Sequence, residues 1–499
     1  MSSTTRLEPQ IVRTGVVVVL GTIMSILDTT IVAVALHTLS HDFRVSIATI
    51  QWVTTGYLLA LAIVIPVSGW AVHRFGAKPV YQISLGLFVL GSAFSGLAWS
   101  ATALIVFRVI QGVGGGMIVP VGQSILARTA GPQRMSEVMA IVGVPQLLGP
   151  ILGPVLGGLI VSNTTWRWIF FVNVPIGVVA LVLAQRFLTP TAPDGARRFD
   201  LLGFALLSPG LALVVYGLAE VGTQGGFHGA AVWDSIGLGV ALIAGFVARA
   251  LTAPEPLIDL RLFRDRTFAL ASTGIFLLGG ALYGTMFLLP LYYQIARGDS
   301  AWVAGLMMAP QGIGAAISMR PGGILADQRG PRYVVPVGVV VLSIGTFAYT
   351  QVNASSNYVM LAIALFIRGL GMGITMMPTF ASSYRNLTHD DVPKATSATN
   401  ILRQVGGSLG VAIFAVVLQT RVTRTLPTTG ALIQAGRLRP TPSELQTIAA
   451  AFAHSFWWSF FASAIVFVPA LLLPNRGVRE ATSQPSRPLT ARPPDQRAP

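Results

Sequence analysis

Cysteine is absent from the 499 residues. Disulfides and cysteine-ligated metal centres are therefore excluded, and the compartment's redox state is left open. Charge is scarce: 10% of residues are Asp, Glu, Lys or Arg, against about 25% in an ordinary soluble domain. Acidic residues are the scarcer sign, 18 against 33 basic ones, and Lys78 and Lys394 are the only lysines. No G-x-x-x-x-G-K-[ST] loop is present to cradle ATP, and no H-E-x-x-H zinc pair occurs. Gly112 to Gly116 is glycine-rich but lies in an apolar run with no following Lys, so it does not bind nucleotide.

Apolar residues make up 53% of the chain, with 53 glycines and 31 prolines. A helix crosses the hydrocarbon core with about 20 apolar residues. By that rule the chain reads as an all-α integral membrane protein with fourteen spans. Its parts are an N-terminal segment (1–14), a first six-helix bundle (15–188), two inserted helices with linkers (189–266), a second six-helix bundle (267–473) and a disordered tail (474–499). The first apolar stretch, from Gly15, is long for a signal peptide and carries Asp28, so it is read as a retained helix.

The net charge of +15 would suit a nucleic-acid partner, but its distribution does not. Basic residues such as Arg74, Lys78, Arg128, Arg134, Arg197, Arg261 and Arg329 fall in alternate short loops. That is the positive-inside pattern, and it places both termini in the cytoplasm.

Two segments recur about 254 residues apart. Gly69-Trp70-Ala71-Val72-His73-Arg74-Phe75-Gly76-Ala77-Lys78 follows the second span, and Gly323-Ile324-Leu325-Ala326-Asp327-Gln328-Arg329-Gly330-Pro331-Arg332 follows the tenth. Gln111-Gly112 in span four and Arg368-Gly369 in span twelve form a second pair in the same order. Two related halves around a midplane site are a recurring transporter plan.

Gly149-Pro150-Ile151-Leu152-Gly153-Pro154-Val155-Leu156-Gly157-Gly158 lies inside span five. Proline bends a helix, and lipid still demands that the backbone stay helical. Small residues at four-residue spacing then present a face for close helix packing, read here as a shaped contact between the halves.

With those motifs the chain resembles the major facilitator superfamily, and within it the fourteen-helix drug:proton antiporters of the QacA/EmrB type. Leu27-Asp28-Thr29-Thr30, Gln51-Trp52-Val53-Thr54-Thr55-Gly56-Tyr57, Arg108-Val109-Ile110-Gln111-Gly112 and Trp166-Arg167-Trp168-Ile169-Phe170-Phe171-Val172-Asn173-Val174-Pro175 carry the likeness further. The resemblance implies a major facilitator fold, two pseudo-symmetric bundles plus two inserted helices. It also implies proton-coupled multidrug efflux by alternating access, with the glycine–proline run as the antiport signature. The alternative is a dedicated exporter of one metabolite, lipid or antibiotic. An enzyme would need a clustered acid, base or nucleophile set, which the chain does not offer. No cofactor is expected beyond the proton gradient. The partners expected are drug-like small molecules, protons and the bilayer, with no nucleic acid and a monomeric state.

Asp28 is the one carboxylate placed deep within a span, where an ionised acid must face a cavity, pair, or bind a proton. The resemblance assigns it the family's proton site and makes Arg108 its partner. The repeated loops are expected to act as conformational gates through Gly69, His73, Arg74, Gly76, Lys78, Gly323, Asp327 and Gly330. His73 stands where the family's motif has Asp. Aromatic faces suit lipophilic cations, so Trp52, Tyr57, Gln111, Tyr283, Met286, Phe287 and Arg403 are the candidates for the substrate cavity. Tyr292 and Tyr293 are expected in the interfacial aromatic belt.

Overall fold

The computed structural model describes residues 9–45, 47–130, 149, 152–153, 155–161, 163–190, 199–224, 229–254, 256–387, 391–426 and 441–474. Among them there are helices and no strand. The first bundle contains α1 (Pro9–Phe43), α2 (Ile47–Val64), α3 (Val67–Phe75), α4 (Ala77–Gly96), α5 (Ala101–Ala130), α6 (Trp168–Phe171) and α7 (Asn173–Phe187). The inserted pair is α8 (Leu201–Gln224) and α9 (Ala230–Thr252). The second bundle contains α10 (Arg266–Leu291), α11 (Ala301–Arg329), α12 (Pro331–Tyr349), α13 (Tyr358–Tyr384), α14 (Val392–Thr425), α15 (Pro442–Ala464) and α16 (Phe467–Leu472).

Twelve of the described helices are long and apolar enough to cross a bilayer, and α2 with α3 makes a thirteenth. Most of the expected fifth span, 136–161, lies outside the described residues, as do Pro150 and Pro154. Large apolar side chains such as Val182, Val337 and Ile363 are more than half exposed. Water would penalise such faces; lipid tails accept them.

The second span, read from the sequence as roughly 48–70, is a broken helix. It bends by 54° between Val64 and Val67, where Pro66 removes a backbone donor. It then continues to Phe75, so Gly69, His73 and Arg74 are helical rather than part of a loop. The same holds for Gly323 and Asp327, both within α11. Each turn contracts to one glycine. Gly76 has φ 85° and ψ 151°, and Gly330 has φ 93° and ψ 143°. Each ends one helix and begins the next in a conformation that side chains resist. This shared geometry supports the internal repeat at the level of the backbone.

Asp200 ties the inserted pair together. Its carboxylate accepts from Gly203 N at 2.9 Å, Arg249 Nε at 2.9 Å and Leu257 N at 3.3 Å. In the second bundle, Asn357 caps α13 by accepting from Val359 N at 2.8 Å. Thr441 and Glu444 form a capping box at the start of α15.

Candidate functional site: a buried carboxylate network

The residues around Asp28 explain its surroundings. The hydroxyl of Thr29 donates to Ser25 O at 3.0 Å, and that of Thr30 to Ile26 O at 3.2 Å. Both threonines thus bond backbone carbonyls of their own helix, the usual outlet for such side chains mid-helix, and Thr30 Oγ1 also lies 3.3 Å from Gly149 O in the fifth span. The partners of the carboxylate must come from other helices, and three do. Arg108 Nη1 on α5 donates to Oδ2 at 2.5 Å. Gln111 Nε2, one turn further on, donates to Oδ1 at 2.9 Å. Asn173 Nδ2 at the start of α7 donates to the same oxygen at 3.0 Å.

The network extends outward. Arg108 Nη1 also donates to Gln111 Oε1 at 2.8 Å, and its Nε to Val53 O on α2 at 3.2 Å. Its guanidinium carbon lies 4.1 Å from the Tyr57 ring centroid, a cation–π contact. Asn173 Nδ2 reaches Ser92 Oγ at 3.1 Å, and Ser92 donates to Phe170 O at 2.9 Å. Asp28, Arg108, Gln111 and Tyr57 are each 0% exposed. One anion and one cation therefore sit together, sealed from water, across five helices.

The small-residue face packs on the helix that bears Asp28, rather than between the halves. A Cβ on Gly149 would strike Ile26, one on Gly153 would overlap Thr30 Oγ1, and one on Gly157 would meet Ile31 at 2.9 Å. Glycine lets the fifth-span backbone lie against α1 on either side of the acid. Gly158 is different, with nothing within 4 Å of an added Cβ. Contact with the second bundle comes instead from Val155, which lies against Gly305.

Among the described residues, two pairs of polar side chains join the bundles directly. Ser68 Oγ on α3 is 2.7 Å from Ser397 Oγ on α14, and Asn400 Nδ2 on α14 donates to Gln123 Oε1 on α5 at 2.8 Å. All four side chains are buried. Asn400 also accepts from Arg403 Nη2 at 3.1 Å, and Arg403 Nη1 donates to Tyr283 Oη at 3.0 Å. A chain of polar groups therefore runs from α5 through α14 to α10.

The structure divides the candidate cavity residues. Tyr57 and Gln111 belong to the Asp28 network. Tyr283 and Arg403 pair with each other, with Met286 buried and Phe287 partly buried on the same helix as Tyr283. Trp52 faces away from both groups, 41% exposed and stacked on Tyr216 of α8 at 5.8 Å between centroids. Of the gate residues, His73 is buried and Arg74 exposed, while Lys78 donates to Gln185 O at 2.8 Å within its own bundle. Asp327 is exposed. Burial lowers the nearby Arg385 from its ordinary value, and the Asp327 carboxylate opposes that shift.

Tyr292 and Tyr293 are not an interfacial belt. Both are fully buried in a π-helical turn (Tyr292–Ala296), with Tyr292 donating to Asn353 O at 2.8 Å and Tyr293 2.9 Å from Tyr349 Oη. Gly406-Gly407-Ser408-Leu409-Gly410 matches the G-x-S-x-G pattern by letter. It runs through the middle of α14 and lacks the strand-to-helix turn such a nucleophile needs.

Comparison with known proteins accords with this geometry. The sequence profile described as Major Facilitator Superfamily matches residues 18–411. A "Multidrug resistance protein B homolog" from Mycobacterium tuberculosis is 41% identical over 416 residues, covering 83% of this chain and 77% of that protein. A "Putative multidrug resistance protein MdtD" from Escherichia coli is 33% identical over 410 residues, covering 81% and 85%. Among solved structures, an inward-facing bacterial homolog of the human lysosomal transporter Spinster superposes with a TM-score of 0.59. It is 17% identical and covers 94% of this chain and 98% of that one. That likeness is one of fold.

Proposed function

Because the chain belongs to the major facilitator superfamily, a family of membrane transporters and not enzymes, we propose that it exports small amphipathic or cationic compounds in exchange for protons. Two relatives carry multidrug-resistance names, which supports a broad efflux role. The observation that carries the exchange mechanism is the 0% exposed pair of Asp28 and Arg108.

Asp28 Oδ2 accepts from Arg108 in the closed pair. A proton arriving on that oxygen removes the acceptor and leaves the guanidinium without its counter-charge. A buried charge stripped of its partner costs several kcal/mol, so protonation is coupled to movement of α1 against α5. A cationic substrate competes for the same carboxylate. Proton and cation thus exclude one another at Asp28, the condition for exchange. Inward proton movement supplies about 2.3 kcal/mol per charge per 100 mV of membrane potential.

The positive-inside pattern assigns the Gly76 and Gly330 end to the cytoplasm. Ser68–Ser397 and Gln123–Asn400 then form the cytoplasmic closure, and α3 with its glycine turn is the lever beside it. Asp28 is sealed in this conformation, so the cycle requires a second one in which the bundles part and water reaches the acid.

Everted membrane vesicles provide the test. Ethidium added to energised vesicles should discharge part of the pH gradient as it is taken up, and Asp28→Asn should abolish both movements while leaving the protein in the membrane. Ethidium transport that persists in that variant, or that proceeds without proton movement, would overturn the mechanism.

A further inference from the structure

The elbow between α2 and α3 is held from outside its own bundle. Ile63 O is the carbonyl that an unbroken helix would pair with Val67 N, and the 54° bend falls between Val64 and Val67. Wherever a membrane helix breaks, its backbone needs donors from elsewhere in the protein. The inserted helix α8 brings one: buried Ser208 donates its hydroxyl to Ile63 O at 2.8 Å.

Two ring contacts flank that bond. On the α3 arm, Trp70 meets Phe199, just ahead of α8, with centroids 4.7 Å apart. On the α2 arm, Trp52 stacks on Tyr216 at 5.8 Å. Trp70, Ile63 and Trp52 thus meet Phe199, Ser208 and Tyr216 in that order. One helix runs antiparallel past both arms of the bend and grips each of them. The second inserted helix is fixed to the first. A Cβ on Gly239 of α9 would come within 2.8 Å of Gly210 O, and Asp200 binds Arg249 at 2.9 Å.

α8 also lies against α14 of the second bundle. There Val214 and Leu218 form a buried apolar cluster with Ala412, flanked by Leu409. Apolar contact is non-directional, and shear motions slide packed helices past one another. The chain passes from the inserted pair to the second bundle between two anchors. Leu257 N donates to Asp200 at 3.3 Å, and Asp259 lies 3.7 Å from Lys394 of α14.

We propose that the inserted pair moves with the first bundle. α8 splints the elbow through Phe199, Ser208 and Tyr216, which are positioning residues for α3, and α14 slides across Val214 and Leu218 as the bundles part. This goes beyond the exchange chemistry at Asp28 and rests on the alternating movement in the reading above.

Two engineered bridges test it in the cysteine-free chain. A flexible bis-methanethiosulfonate joins Trp70→Cys to Phe199→Cys across α3 and α8, or Val214→Cys to Ala412→Cys across α8 and α14. The first bridge should leave ethidium transport at least as fast as in the same protein unbridged. The second should lower it at least tenfold, and reductant should restore it. A further measurement needs no transport. In a Ser68→Cys, Ser397→Cys protein, adding Phe199→Ala with Ser208→Ala should slow disulfide formation at least fivefold, because α3 is no longer held at the angle that sets position 68 against position 397. Leu202→Ala, at an exposed position of α8, should leave that rate unchanged, which separates loss of the splint from general loosening. Transport stopped by the α3–α8 bridge, transport kept under the α8–α14 bridge, or an unchanged disulfide rate would each overturn the proposal. Absence of ethidium transport from the unbridged proteins would count against the efflux reading alone, and the disulfide rate would still decide this one.

Discussion

Asn173 donates its side-chain N–H to Asp28 Oδ1 at 3.0 Å across 145 positions of sequence. The same nitrogen bonds Ser92, so one amide fixes the acid to α4 and α7 while Arg108 fixes it to α5. The carboxylate is therefore oriented on both oxygens before any ligand arrives.

Removing that amide should loosen the network without abolishing the ion pair. Asn173→Ala leaves a buried acceptor lobe with one donor fewer, a loss of about 1–3 kcal/mol. A lowered melting temperature in detergent is expected, with Ser92→Ala giving a smaller shift because Ser92 does not touch the carboxylate. Equal melting of wild type and Asn173→Ala would show that the amide contributes nothing.

Asp28 and Arg108 should behave as a coupled pair. Either single neutralisation, Asp28→Asn or Arg108→Gln, strands the opposite charge at 0% exposure and should cost about 3–5 kcal/mol. The double variant should recover a large part of that loss, because two neutral amides can hydrogen-bond each other. A thermodynamic cycle over the four proteins measures the coupling; strict additivity of the single losses would mean the two side chains do not interact.

How much of this was legible before the structure depends on whether a residue violates its local setting. An acid in an apolar span stands out, so Asp28 and its pairing with Arg108 could be anticipated. The glycine turns stood out because Gly76 and Gly330 sit at matched places in a repeat. Asn173 was visible inside a motif but carried no assignment, although a buried amide in an apolar helix is itself a signal that something must satisfy it. Ser68, Gln123, Ser397 and Asn400 gave no such signal. Small polar residues are common in membrane helices and usually bond their own backbone, as Ser84 does with Val80 O at 2.7 Å. Which of them reach across to another bundle is set by tertiary geometry alone. Helix ends were misjudged for a related reason: the α2–α3 segment continues past its apolar part, since a helix satisfies its own backbone in water and lipid alike.

The glycines of the fifth span should differ sharply in tolerance. At Gly153 an added methyl overlaps Thr30 Oγ1, two residues from Asp28, whereas at Gly158 it meets open space. Gly153→Ala should displace α1 and reduce transport at least tenfold, while Gly158→Ala should stay within about 0.5 kcal/mol of wild-type stability and transport normally. Vesicle uptake rates with matched protein levels make the comparison. Equal activity of the two variants would remove the close-packing role of Gly153.

The closure between the bundles can be locked covalently, and the absence of cysteine from the chain makes the result easy to read. Ser68 Oγ and Ser397 Oγ lie 2.7 Å apart, within reach of a disulfide whose sulfurs sit about 2.05 Å apart after small rotations. The double variant Ser68→Cys with Ser397→Cys should cross-link under mild oxidant and stop transport, because the bundles can no longer part at that end. Reductant should restore it. Each single variant should remain active in both conditions, since it has no second thiol to meet. If the bond forms and transport continues, opening at this end is not part of the cycle, and the two bundles must exchange their cargo by some other route.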